Sequence, residues 1–287
     1  MEFYSPTTVD ETVELLGRLP GTVKVLAGGT DLAVEQEFLH PRWDALVSIG
    51  NVAELRGIRE EPGALVLGAA TSFTEVIRSP LVQRRARSLV EAARTVGSWA
   101  IQLQGTIGGN LATASPAGDG SVALLALGAE ARLRGPKGRR DVPLHEFFTG
   151  PKRSVLARDE LIIEVRIPAP PAGARLHGTF LKVGKRKAMA ISIVCAAVEV
   201  AQGPGGDVLE VGIAYGSVAP TPIRARSAEA LLRGQRLTGD VIRRAAAAAA
   251  GDTRPIDDVR GEAWYRREVA AVLVERALTA CLNGASG

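Results

Sequence analysis

Two short segments carry residue types that could hold an anionic ligand. One, Thr106-Ile107-Gly108-Gly109-Asn110-Leu111-Ala112-Thr113-Ala114-Ser115-Pro116-Ala117-Gly118-Asp119, mixes glycine with hydroxyl, amide and carboxylate side chains, and Ile107 and Leu111 could anchor it to a core. The other, Ala27-Gly28-Gly29-Thr30-Asp31-Leu32, repeats the Gly-Gly-polar chemistry about eighty residues earlier. Glycine has no Cβ to keep a ligand away from backbone N–H groups. Two such segments suggest one extended ligand with a pyrophosphate in its middle. For Ala27 to Leu32 alone, a tight turn with Thr30 or Asp31 as a plain N-cap explains the residues equally well.

The elements around these segments must position them. Val23 to Ala27 reads as a buried strand, and a helix can run from Asp31 to about Leu39. Strand, Gly-Gly turn and helix together make a phosphate-binding geometry, with first-turn N–H groups aimed at the ligand. Upstream, Thr8 and Glu11 have capping-box spacing for a short helix that ends by Gly17 and Pro20. Downstream, Leu46 to Ile49 reads as a strand, and 55–60 with 64–69 as a hairpin turning at Glu61-Pro62-Gly63. Thr71 is then expected to cap helical character from Thr74 to Arg94, broken near Pro80.

Thr106 to Asp119 itself reads as a glycine-rich loop, with Ser121 to Leu127 as a helix or strand packed on it. Glu130 to Leu133 and Arg139 to Val142 suggest a second hairpin, and Leu161 to Ile167 a strand. Pro168 to Gly173 is the best linker, and a domain boundary is expected there. Beyond it, strands at 179–183, 191–201 and 208–215 precede helices at 225–232, 238–250 and 263–282. Strands followed by helices predict a small α+β domain.

With 287 residues and 46% hydrophobic content, the chain can build two or three modest cores. Its net charge of +4 is dispersed, with no basic stripe interleaved with aromatics, so nucleic-acid binding is not expected. Cys195 and Cys281 lie far apart in apolar runs, as buried thiols of a reducing compartment do. An iron–sulfur cluster usually takes four thiolates, so two cysteines cannot hold one unaided. His40, His145 and His177 are scattered and suggest no zinc site.

The N-terminus carries no Sec-type signal pattern, and no apolar run is long enough to span a bilayer. The chain therefore reads as soluble and cytoplasmic. The glycines lack Rossmann spacing, Gly178 to Arg186 fails as a Walker loop, and no nucleophile elbow or paired carboxylates stand out. Ligand-cradling segments with little acid–base apparatus suit a cofactor that performs the redox chemistry itself.

Taken together, the two segments resemble those of the FAD-binding medium subunit of the molybdenum hydroxylases. That family includes carbon monoxide dehydrogenase, and its flavin region lies inside xanthine dehydrogenase. Ile167-Pro168, the segment Val218 to Ala225 and Tyr265-Arg266-Arg267 also look like the family. The resemblance covers nearly the whole chain. It implies an α+β fold: an FAD-binding domain of the p-cresol methylhydroxylase type over 1–170, with subdomains of about 1–55 and 56–170. A C-terminal α+β domain of the carbon monoxide dehydrogenase flavoprotein type would follow over 174–284.

Carried over by position, Ala27, Gly28, Gly29, Thr30, Asp31 and Leu32, with Thr106, Ile107, Gly108, Gly109 and Asn110, would wrap the FAD pyrophosphate. They would do so with backbone N–H groups and the hydroxyls of Thr30 and Thr106. Asn110 and Thr113 would bind polar groups of the cofactor, and Asp119 its ribityl or ribose hydroxyls. Ile162 would lie beside the isoalloxazine and Lys182 near its pyrimidine end. Gln102-Leu103 and Ala188-Met189-Ala190 depart from the family pattern and leave the acceptor open among oxygen, NAD and a quinone.

The implied activity is electron transfer within a molybdenum-dependent dehydrogenase. A small partner would carry [2Fe-2S] clusters and a large partner the molybdenum cofactor, in a dimer of heterotrimers. The alternatives are a stand-alone flavin oxidoreductase of this fold and a scaffold that has lost the flavin.

Overall fold

The computed structural model describes residues 1–284. The first unit comprises β1 (Glu2–Tyr4), α1 (Val9–Arg18), β2 (Val23–Leu26), α2 (Thr30–Leu39) and β3 (Ala45–Ser48). β1 and β2 flank β3, both parallel to it, so α2 is the crossover that returns the chain from β2 to β3. Thr8 caps α1 by accepting from the Glu11 N–H, as its spacing predicts.

The second unit begins with β4 (Ile58–Glu61) and β5 (Ala64–Gly68). Six helices follow: α3 (Phe73–Arg78), α4 (Pro80–Arg85), α5 (Arg87–Thr95), α6 (Trp99–Gln104), α7 (Ile107–Thr113) and α8 (Asp119–Ala126). It closes with β6 (Glu130–Gly135), β7 (Gly138–Pro143), α9 (Leu144–Phe147), β8 (Phe148–Gly150), β9 (Arg153–Ser154) and β10 (Leu161–Pro168). The main sheet runs β4-β5-β10-β6-β7, all antiparallel. Ser72, not Thr71, caps α3, through a reciprocal capping box with Glu75. The expected loop at Thr106 is α7, whose N-cap Thr106 accepts from the Gly109 N–H.

β10 lies at the centre of the sheet and serves two cores. Leu161 and Ile163 join α1 and β3, whereas Ile162, Val165 and Ile167 join the core under α5, α7 and α8. A bulge between Ile162 and Glu164 resets the alternation that would otherwise send Ile162 and Val165 to opposite faces.

The last unit holds β11 (Arg175–Gly184), β12 (Ser192–Gln202), β13 (Val208–Gly216), β14 (Ile223–Arg224), α10 (Arg226–Leu232), α11 (Gly239–Gly251) and α12 (Ala263–Gly284). Its four strands pair in sequence order as an antiparallel sheet. The α10–α12 helices cover it, and the alanines of α11, Ala245, Ala246 and Ala249, are buried in that contact. Arg266 of α12 is buried and donates to the Ser217 carbonyl at 2.8 Å, fixing the turn after β13.

The α5 helix is the seam between the second and last units. Glu91 accepts from Thr179 Oγ1 at 2.9 Å and from the Phe180 N–H at 2.8 Å. Glu199 of β12 accepts from the Ser88 N–H at 3.2 Å, and burial pushes its carboxyl up to about 7. These bonds fix β11, and with it Lys182, against the end of α5. Among the described residues, no helix is long and apolar enough to cross a membrane.

Candidate cofactor site

The two Gly-Gly turns lie against each other. A Cβ on Gly28 would stand 1.8 Å from the Gln104 carbonyl oxygen, so only glycine lets the β2–α2 turn touch the end of α6. Thr113 Oγ1, at the end of α7, donates to Asp31 Oδ2 in the first turn of α2 at 3.2 Å. Sequence reasoning placed both segments on one ligand, and the structure brings them together.

Within each pair the glycines divide the work. Gly28 meets Gln104, and Gly108 packs on Ala69, whose Cβ would be 2.7 Å from a Cβ there. The second glycines face outward: an added Cβ would meet one atom at Gly29, Leu26 Cδ1 at 3.1 Å, and one at Gly109, Thr106 Oγ1 at 2.9 Å. Gly29 also sits at φ +72°, where L side chains are strained. The first glycine of each pair therefore serves packing, and the second leaves room for a ligand.

The N–H donors are divided unequally. The N-cap of α2 is Gly29, which has no side chain, and the N–H groups of Thr30, Asp31 and Leu32 have no partner among the described residues. A helix of this length concentrates partial positive charge at such an end. In α7 every corresponding donor is engaged. The Ile107 N–H bonds the Thr71 carbonyl at 2.9 Å, Gly108 bonds Ala69 at 2.8 Å, Gly109 bonds Thr106 Oγ1 at 3.0 Å and Asn110 bonds the Thr106 carbonyl at 2.9 Å. α7 uses those donors to dock onto the segment after β5 and to close its own first turn.

Asn110 Oδ1 accepts from Ser121 N and Oγ, both at 2.9 Å, so its acceptor ties α7 to the start of α8. Asp119 is buried, and its Oδ2 accepts from Thr95 Oγ1 at 2.9 Å and pairs with Lys182 Nζ at 2.5 Å. Its carboxylate thus links α8 to α5 and β11 inside the protein. Burial raises the Asp119 carboxyl above the usual carboxylate range, against the opposing pull of Lys182, and Oδ1 is buried without a hydrogen bond. Ile162 is only 4% exposed and packs in the core, because the bulge turns it inward under α7.

Lys182 lies at the junction of the units, and its Nζ also donates to the Thr95 carbonyl at 3.2 Å. Thr95 and Gln104 are the site residues that sequence reasoning missed. Both act through contacts with residues remote in the chain, and Gln104 acts only through its backbone.

A family model described as the FAD binding domain in molybdopterin dehydrogenase matches residues 1–170, and one described as the CO dehydrogenase flavoprotein C-terminal domain matches 179–281. The chain belongs to that family. The carbon monoxide dehydrogenase medium chain of Hydrogenophaga pseudoflava is 37% identical over 97% of this chain and 96% of its own length. The nicotinate dehydrogenase FAD-subunit of Eubacterium barkeri is 35% identical over 83% and 81%. A solved carbon monoxide dehydrogenase from H. pseudoflava, lacking the Mo-pyranopterin moiety, superposes with a TM-score of 0.92 at 38% identity, covering 98% of this chain and 96% of that one.

The chain is therefore an FAD-binding medium subunit of the molybdenum hydroxylase family, and an oxidoreductase subunit by descent. Its residues fit that cofactor. The free N–H groups of α2 suit a pyrophosphate, and Gly29 and Gly109 leave space above the turns.

Proposed function

We propose that this chain holds FAD with its pyrophosphate on the first turn of α2 and relays electrons to an acceptor. The observation that carries the reading is the uncapped start of α2, Thr30 to Leu32, beside the outward face of Gly109. Backbone donors at a helix N-terminus neutralise phosphate charge without moving, which favours tight retention. Ala27 and Gly28 supply the close approach of the turn, and Thr30 a hydroxyl. Thr106, Ile107 and Gly108 shape the floor, while Asn110, Thr113 and Asp31 brace it. Lys182, held by Asp119 and Thr95, keeps a cation at the junction of the units, where it favours negative charge on a bound ring. FAD, when bound, supplies a store that accepts electrons singly and releases them in pairs.

In this reading the electrons start at a hydroxylation on the molybdenum cofactor of a large partner and pass through [2Fe-2S] clusters of a small partner. With two cysteines, this chain needs those clusters supplied from outside. The assembly is a cytoplasmic dimer of heterotrimers. Residues 1–170, with subdomains of about 1–55 and 56–170, form the flavin domain, and 174–284 form the domain that brings Lys182 to it.

The test is the visible spectrum and FAD-to-chain ratio of the purified complex, followed by flavin bleaching when the complex meets its substrate anaerobically. One FAD per chain that bleaches supports the relay. An intact, active complex repeatedly free of FAD ends it.

A further inference from the structure

The sheet of the last unit meets the second unit through α5 and α8, but α8 ends at Ala126 and the sheet runs on past it. A Cβ on Gly212 would stand 1.8 Å from the Ala126 carbonyl oxygen, so the end of α8 is seated directly on β13. Beyond that contact the chain leaves β10 along Pro168 to Pro170, and a cavity of about 430 Å³ opens between the units. Small-molecule sites occupy about 300–1,000 Å³. Leu176, which lines the cavity, stands six residues before Lys182 on β11. At the rise of a strand that is about 20 Å, so the cavity is separate from the cofactor site.

Its lining combines an apolar wall with free charges of both signs. Leu127, Ile167, Pro168 and Leu176 form the wall. Three arginines border it and differ in what they have left to offer. Arg224 is spent on Glu229 and on the carbonyls of Leu125 and Val211. Arg85 pairs with Glu60 through Nη1 alone, and the Arg233 guanidinium has no partner among the described residues. Negative charge comes from Glu199, with the exposed Glu210 at the margin. Glu199 Oε1 accepts from the Ser88 N–H at 3.2 Å, and among the described residues no cation pairs with this carboxylate. Burial, with Glu91 nearby, holds its carboxyl above the usual range, as for a carboxylate short of compensating charge. The C-terminal end of α8 adds partial negative charge to the same cavity. A ligand that answers all three features carries a cationic end, an anionic end and an apolar group.

We propose that this cavity binds an α-amino acid with an apolar side chain, its ammonium on Glu199, its carboxylate on Arg233 and Arg85, and its side chain against Leu127 and Leu176. A guanidinium takes a carboxylate in a two-bond fork, which fixes the orientation of the ligand. The occupant bridges the two units at the end of β11 remote from Lys182. The proposal stands independently of the flavin reading.

The test is calorimetric titration of the purified complex with L-leucine, beside 4-methylpentanoate, which lacks the ammonium, and 3-methylbutylamine, which lacks the carboxylate. Saturable binding of leucine is expected, with each truncated compound weaker by about tenfold or more, as loss of a charged hydrogen bond gives. The variants Arg233→Ser and Glu199→Gln should weaken leucine to a similar degree. Arg233 is exposed and unpaired, so its variant should keep the FAD content and thermal midpoint of the parent. Glutamine at 199 keeps an acceptor for the Ser88 N–H. Absence of saturable binding with leucine, methionine and phenylalanine would overturn the site. So would truncated compounds that bind as well as leucine, or undiminished binding by Arg233→Ser.

Discussion

The turns at Gly28-Gly29 and Gly108-Gly109 look interchangeable in sequence, yet they do opposite things with their backbone donors. The turn into α2 leaves three first-turn N–H groups free, and the turn into α7 spends all of its own on Thr106, Thr71 and Ala69. Packing explains the difference. No residue of α2 is buried, whereas Ile107, Gly108 and Leu111 of α7 are. A helix start that docks into the interior must satisfy its donors there, because unsatisfied buried N–H groups are costly. A helix start at the surface can keep its donors for a ligand. A Gly-Gly pair thus marks close backbone approach, and burial of the following helix decides whether protein or ligand does the approaching.

The sharpest way to break this pairing is Gly28→Val. Its Cβ would fall 1.8 Å from the Gln104 carbonyl oxygen, and backbone on both sides cannot yield. A loss on the order of 5 kcal/mol, as for the severest single changes, is expected together with loss of FAD. A thermal midpoint close to the parent's would mean that the turns do not touch.

Next in size is Lys182→Met, which strands a buried carboxylate at about 3–5 kcal/mol. The Asp119 carboxyl is already raised by burial and would rise further without its cation. A carboxyl whose folded pKa exceeds its unfolded one favours the fold while protonated, and that support fades as pH climbs through the folded value. The variant should therefore lose more stability at pH 8 than at pH 5 in denaturant titrations, and adding Asp119→Asn should flatten the dependence. A variant equally weakened at both pH values would contradict the pair.

Gly109→Leu separates ligand space from packing space. Its Cβ would meet only Thr106 Oγ1, so stability should change by no more than about 1 kcal/mol while FAD is lost. Retained flavin would show that the outward face of α7 does not look onto the cofactor. Thr113→Val, the mildest change, removes the 3.2 Å bond to Asp31 and should cost about 1 kcal/mol, read as a severalfold weaker hold on FAD.

Much of this was visible in the residues. The run Val23 to Leu39 announces strand, turn and helix because burial and glycine follow local rules, and the last unit announces itself by strands followed by helices. Helix α7 was hidden, since Gly108 and Gly109 oppose helix formation and the cap made by Thr106 outweighs them only when Ile107 and Leu111 are buried. The Asp119–Lys182 pair was hidden because its partners lie 63 residues apart, a distance across which no spacing rule operates. The inward turn of Ile162 was hidden by the bulge in β10, a one-residue irregularity that strand alternation does not foretell.

Amide hydrogen exchange with and without FAD tests the division of labour most directly. The N–H groups of Thr30, Asp31 and Leu32 should exchange fast in the FAD-free chain and become protected on binding, whereas those of Ile107 to Asn110 should be protected in both. Protection gained at Ile107 to Asn110, with none at Thr30 to Leu32, would contradict the account.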